Sequence, residues 1–296
     1  MNTEQTEVKI YRHAYLIMAH DQPVQLKKLI RALDDDRNDL YIHIDRKAKN
    51  IRKEDLAALC RRSGVFFIPG RNIVWGGESL ILCEMDLFRK ASEKGYRYYH
   101  LISGADFPVM TQDAIHDFFG RHDGFEFIEF WERDKKEYEY RIRYRYPLQE
   151  RIGRYTNDLP TLVLRVRSKL QVFCQKMKGT DRVRDYGKTI RAGGEWVSVT
   201  DDFVRYLLSR EEEIREYFLQ GVAADELYKQ TICWNSPFRE KIWPEGHMRL
   251  IIWKQDKPYI WQEEDLEEIM RSDKLFVRKV TEENRLADRI TERLTS

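Results

Sequence analysis

The sequence is short of the residues that cross-link a chain or grip a soft metal. Its four cysteines, Cys60, Cys83, Cys174 and Cys233, lie far apart and show no C-x-x-C spacing. Cys60, Cys83 and Cys233 sit in apolar, helix-like contexts, so they read as buried free thiols, not as a disulfide framework or a thiolate zinc site. Long apolar runs are also missing: Ala14 to Ala19 is the longest early one, too short for a signal or a membrane span. Met1 to Glu7 is polar and acidic, without the basic-then-apolar order of a secretory leader. These absences predict a soluble, cytoplasmic chain, peripheral at most at the inner face of the cytoplasmic membrane. Charge of one sign is lacking too, since 52 Lys and Arg face 50 Asp and Glu for a net +2, which is no signature of a nucleic-acid binder. There is neither an internal repeat nor a low-complexity linker, and a single domain over 1–296 is the simplest organisation, with a polar tail at 1–9 and a charged C-terminal helix at 282–296.

What is present is an alternation of strand and helix patterns. Tyr11 to Ala19 reads as a first strand. After Pro23, Leu26, Leu29, Ile30 and Leu33 recur at helical spacing. Leu40 to Ile44, Val65 to Ile68 and Tyr98 to Ile102 are further strands, with helical patterns at Leu56 to Arg62 and Glu78 to Lys94 between them. Units near thirty residues predict an α/β fold with a mostly parallel central sheet flanked by helices. The second half is less regular. It predicts strands at Phe125 to Trp131, Glu195 to Val199 and Leu250 to Trp253, and helices at Leu159 to Lys178, Asp202 to Ser209 and Ala223 to Cys233.

In such a sheet, ligands sit beyond the carboxyl ends of the strands. Tyr98 to Ile102 runs into Ser103-Gly104-Ala105-Asp106, and Asp106 is either a local turn cap or a ligand-facing acid. His43 and Asp45 share a face at the end of the second strand, where Asp45 either contacts a ligand or pairs with Arg46 or Lys47. Asp34-Asp35-Asp36 reads as a solvated surface turn. Glu226 falls in the first turn of the helix predicted over 223–233. The macrodipole there favours an ionised carboxylate and so a general base, or simply reflects an ordinary N-terminal preference. Arg249 precedes the apolar run Leu250 to Trp253, and Arg278-Lys279 follow Leu275 to Val277; cations at strand ends or in loops either hold a diphosphate or face solvent, and Arg278 reads as solvent-facing. In Tyr138 to Arg154, alternation would put Arg141, Arg143 and Arg145 on one strand face, either for a glycan or acidic polymer or as a charged edge.

Taken in order, these segments resemble the core-2/I-branching β-1,6-N-acetylglucosaminyltransferase family (glycosyltransferase family 14), which includes the peptide O-xylosyltransferases. The resemblance rests on Ala14-Tyr15-Leu16-Ile17 with His20, Tyr41-Ile42-His43-Ile44-Asp45-Arg46-Lys47 and Trp75-Gly76-Gly77-Glu78-Ser79-Leu80. It continues through Tyr99 to Pro108, Gly194-Glu195-Trp196-Val197, Asp225-Glu226, Met248-Arg249-Leu250 and Leu275-Phe276-Val277-Arg278-Lys279. It implies a GT-A-like fold and an inverting, metal-independent glycosyltransferase without a cofactor. A UDP-sugar is the co-substrate, with GlcNAc the expected sugar and xylose the alternative within the family. The acceptor is a glycan, such as a surface polysaccharide or a lipid-linked oligosaccharide.

Residue by residue, the resemblance assigns Glu226 as catalytic base, and Arg249 and Lys279 as the cations that neutralise the diphosphate in place of a metal. His20, Asp45, Ser103, Gly104 and Asp106 fall to the donor nucleotide and sugar. Glu129, Arg145 and Trp196 fall near acceptor-contacting positions. Asp106 stands alone where metal-dependent relatives of the fold keep a D-x-D. A glycoside hydrolase built on two carboxylates and a non-catalytic glycan-binding module are the competing classes.

Overall fold

β-Branched and aromatic runs in the first hundred residues form the strands that organise the molecule. The computed structural model describes residues 11–154, 158–255 and 257–296; the polar tail expected at 1–9 lies outside them. Strands β1 (His13–Ala19), β2 (Asn38–Ile44), β3 (Gly64–Phe67), β4 (Tyr98–Ser103) and β6 (Ser198–Thr200) make a five-stranded sheet in the order β3-β2-β1-β4-β6. All neighbours are parallel except β6, which runs antiparallel to β4. A second sheet sets β10 (Phe276–Arg278) between β5 (Asp106–Pro108) and β7 (Arg249–Ile251), and β8 (Trp253–Lys254) pairs with β9 (Lys257–Pro258).

Both faces of the central sheet are buried, as the apolar character of its parallel strands requires. Along β1, Ala14, Leu16 and Met18 enter one core with the helix Glu78–Ser92, while Tyr15, Ile17 and Ala19 enter the other with the helix Pro23–Ala32. Helix starts follow local capping chemistry. Thr111, Asp158 and Thr200 each accept a backbone N–H three residues on, beginning the helices Gln112–Arg121, Leu159–Met177 and Asp201–Ser209.

Three sequence expectations give way to tertiary structure. Phe125 to Trp131 is not a strand, because its residues bond different segments: Glu126 N donates to Lys241 O, Phe127 N to Ser198 O and Trp131 N to Ala192 O. The Arg/Tyr stretch is helical over Lys136–Arg143, with Tyr138 and Ile142 buried one turn apart and Arg143 paired to Glu139 at 2.8 Å. The three arginines therefore form no single strand face. The helix expected over 223–233 is broken into a 3-10 turn, Ala224–Glu226, and a helix, Tyr228–Trp234. The Glu226 carbonyl accepts from Gly193 N at 3.0 Å, which removes it from a helical ladder. The C-terminal helix is Leu286–Thr295, starting four residues later than expected.

Candidate active site

The loops beyond β1, β2 and β4 converge where the chain turns from one side of the sheet to the other. Asp45 N bonds Ala19 O at 2.8 Å and Gly104 N bonds Met18 O at 2.9 Å, so the three strand ends are tied together. Asp45 is buried, and its carboxylate accepts from Lys47 N at 2.9 Å and Ile73 N at 3.2 Å, fixing the approach to Trp75-Gly76-Gly77. His43 does the same work one step back, with Nε2 accepting from Arg71 N at 2.8 Å. The acidic turn after the first helix is also structural. Asp34 accepts from the backbone of Arg61, Arg62 and Ser63, and Asp35 is buried against Arg37 rather than solvated.

The loop after β4 is organised around Asp106. One carboxylate oxygen accepts from Ser103 N at 2.6 Å, and the other from Arg278 Nη1 at 3.1 Å. Arg278 also donates to Ser103 Oγ and lies 4.5 Å above the Trp196 ring. The expectation of a solvent-facing Arg278 is therefore wrong: β10 pairs with β5 and sets Arg278 opposite Asp106. Lys279 follows through a cis peptide bond. His20 is exposed and 3.3 Å from Asp21. The Asp21 carboxyl is held below its usual range by its hydrogen bond to His20, helped by the charges of Lys279 and Arg278. His20, Ser103, Gly104, Asp106 and Lys279 thus gather at the ends of β1, β4 and β10, a cationic end of the site.

Arg249, expected beside Lys279, is placed behind this end. It is buried, and its guanidinium donates to Val197 O at 2.8 Å, Ser198 Oγ at 3.0 Å, Leu101 O at 3.3 Å and His247 O. Burial lowers its pKa to about 10.

A second group, beyond Glu195, is acidic. Glu226 Oε2 accepts from Arg141 Nη1 at 2.6 Å, while Oε1 has no protein donor among the described residues. Burial, then the negative charge of Asp225, pushes the Glu226 carboxyl up to about 7 against the pull of Arg141. The macrodipole argument for an ionised Glu226 is thus overturned: the residue ends a one-turn 3-10 segment, and desolvation dominates. Asp225 is itself buried, with Oδ1 unpartnered and its pKa raised by burial. Beneath it, Glu84 Oε2 accepts from Tyr228 Oη at 2.5 Å and from Lys229 Nζ, and both Glu84 and Lys229 are fully buried. Glu195 joins this group, its pKa raised by burial and then by Asp225 and Glu84, with Arg278 opposing.

Glycines make that convergence possible. A Cβ on Gly193 would stand 1.8 Å from the Glu129 carbonyl oxygen, and one on Gly194 would stand 2.7 Å from its carboxylate. With both glycines bare, the loop carrying Glu195 and Trp196 lies flat between Glu129 and Glu226. His247 completes this wall. Its Nδ1 accepts from Arg249 N at 3.2 Å, which leaves the Nε2 proton facing Glu129 Oε2 at 3.5 Å.

Of the acceptor assignments, Glu129 borders the acidic end, whereas Trp196 lies under Arg278 of the cationic end. Arg145 is tied through its backbone to Gln175 of the helix Leu159–Met177, and the arginine that meets Glu226 is Arg141. Sequence reasoning gave no role to Glu195, Glu84 or Lys229, and read Arg141 only as part of a charged strand face. A signal existed for two of them: Glu84 and Lys229 are charges of opposite sign on otherwise apolar helix faces.

Comparisons with known proteins add to this geometry. The solved structure of mouse xyloside xylosyltransferase 1, apo form, overlaps 90% of this chain and 96% of its own at 10% identity, with a TM-score of 0.38. Xylosyltransferase 2 of Canis lupus familiaris is 21% identical over 253 residues, covering 82% of this chain and 27% of that protein. Xylosyltransferase 1 of Homo sapiens is 21% identical over 253 residues, covering 82% of this chain and 24% of that protein. The chain therefore spans about a quarter of the length of these relatives. The model of the Core-2/I-Branching enzymes matches residues 13–273, and the chain belongs to that family.

Proposed function

We propose that the chain is an inverting glycosyltransferase that moves a sugar from a UDP-sugar to a hydroxyl of a glycan acceptor, forming a β linkage. The observation that carries this reading is Glu226, a carboxyl raised to about 7 with one oxygen on Arg141 and the other without a donor among the described residues. A general base works best with a pKa near the working pH. Glu226 Oε1 takes the proton of the acceptor hydroxyl as that oxygen attacks the anomeric carbon. The bond to the β-phosphate oxygen breaks on the opposite face, and the electron pair leaves with UDP.

Lys279 and the adjacent Arg278 stabilise the charge growing on the diphosphate, and Arg249 adds its field from behind β4. His20, Ser103 and Gly104 line the donor end, and Asp45 holds its wall. Metal independence belongs to the same proposal: Asp106 is already engaged by Arg278 and Ser103 N, which supports a site that works without a cation bridging the donor. GlcNAc is the sugar the family name suggests, and the relatives' names favour xylose as the alternative.

A thermal-shift screen against UDP-sugars tests the donor, since a ligand bound only by the folded state raises Tm. UDP-GlcNAc or UDP-xylose should raise it with EDTA present; no shift with any UDP-sugar, or a shift that needs Mn²⁺, overturns the donor reading. Glu226→Gln should lower transfer by about two to four orders of magnitude, and near-normal transfer removes Glu226 as the base. Release of free sugar from a glycan without UDP-sugar would identify a hydrolase instead.

A further inference from the structure

The helix Leu159–Met177 runs for 19 residues without burying a single one. Leu159, Val163, Val166, Leu170, Phe173 and Met177 are each between 57% and 72% exposed. At 3.6 residues per turn they fall within an arc of roughly 100°. The opposite face is the one that meets the protein, through Gln175 on Arg145. All five charged side chains between 159 and 178 are Lys or Arg. They border the apolar stripe on both sides, Arg167 and Lys178 along one edge and Lys169 and Lys176 along the other.

We propose that this helix docks the protein on an anionic bilayer, lying in the plane of the interface with its apolar stripe in the acyl boundary and its cations on lipid phosphates. An outward apolar stripe flanked by Lys and Arg is the build of an interfacial helix, whose long cationic side chains reach up to the headgroups. No helix among the described residues is long and apolar enough to cross a membrane, so the contact is one of docking. Pairing of two copies through this stripe is the poorer fit. Positions flanking the seam would set Lys and Arg against Lys and Arg in either orientation, with no acid on the helix to answer them. The inference is independent of the transferase reading, because it rests on a surface that none of the proposed site residues shares.

Co-sedimentation of the full chain with vesicles tests it, using phosphatidylcholine alone and phosphatidylcholine with added phosphatidylglycerol. Binding should be about tenfold or more stronger to the anionic vesicles, and should weaken as salt rises. Val166→Glu with Leu170→Glu changes only exposed positions, so Tm should hold while vesicle binding falls about tenfold or more. Arg167→Glu with Lys169→Glu should reduce binding to anionic vesicles alone. A fluorophore on the exposed Cys174 thiol should shift to the blue when vesicles are added. The proposal is overturned if the wild-type chain stays in the supernatant, if Val166→Glu with Leu170→Glu binds unchanged, or if light scattering shows that the stripe pairs two copies and vesicles compete for nothing.

Discussion

The cationic and acidic groups of the candidate site are built on opposite electrostatic plans. At the cationic end the acid, Asp106, is fully answered by the Ser103 N–H and the Arg278 guanidinium. At the acidic end, Glu84, Glu195, Asp225 and Glu226 share two cations, Lys229 and Arg141, and buried oxygens of Glu84 and Asp225 have no partner. The first arrangement fixes a loop. The second keeps carboxyls partly protonated near neutrality, a state that burial alone does not give to an acid with a full set of donors. In the proposed reaction, positioning and proton transfer fall to these two different groups.

The largest test of that contrast is Lys229→Met, which strands Glu84 in the core. It should cost about 3–5 kcal/mol in urea unfolding, and Lys229→Met with Glu84→Gln together should cost less than Lys229→Met alone. If the single change is nearly neutral, the acidic end is not held by that pair. Gly193→Ala comes next. Its Cβ meets backbone rather than a mobile side chain, so about 1–3 kcal/mol of stability should be lost, together with transfer activity. Gly194→Ala meets the Glu129 carboxylate, which can swing, and should cost less.

At the other end, Arg278→Gln leaves Asp106 buried without its cation. UDP affinity measured by calorimetry should fall by about tenfold or more, and Arg278→Lys should not restore it, since the planar contact with Trp196 is lost. Unchanged affinity would move the diphosphate elsewhere.

The smallest effect is in pH. Glu226 is active when deprotonated, so kcat/KM should rise as pH increases through about 7. Stability should run the other way. Carboxyls raised in the fold, Glu84, Glu126 and Glu226, contribute stability that is full below their ordinary pKa and is lost as pH rises through about 7. Asp225→Asn removes a negative neighbour and should move the kinetic limb to lower pH. A limb that stays in place would separate Asp225 from Glu226.

The same contrast explains what the sequence disclosed. The cationic end sits where strand patterns predicted it, because Tyr98 to Ile102 reads as a strand from local residues and Ser103 to Asp106 follows directly. The α/β class and the parallel order of the first four strands were legible for that reason. The acidic end was not. Its members come from residues 84, 141, 195 and 225–229, and only packing of separate helices and a bare Gly-Gly loop brings them together. Glu226 was singled out by its predicted helix position and by resemblance, yet its electrostatic setting was misread, because a local macrodipole argument cannot foresee desolvation by distant segments. Arg278 was misjudged, and the burial of Arg249 unforeseen, for a related cause: strand pairing far along the chain decides which arginine faces Asp106.

That pairing has a consequence for the order in which the molecule can be made. Asp106 acquires its cation only when β10 docks on β5, about 170 residues downstream. Arg249 likewise clasps the carbonyls of Leu101 and Val197 only after most of the chain exists. Contacts of such long range are the slow ones in folding. A nascent chain that has emerged as far as Glu226 holds the four carboxyls of the acidic group but neither arginine, so the loop after β4 gains its charge partners only once β7 and β10 have been made.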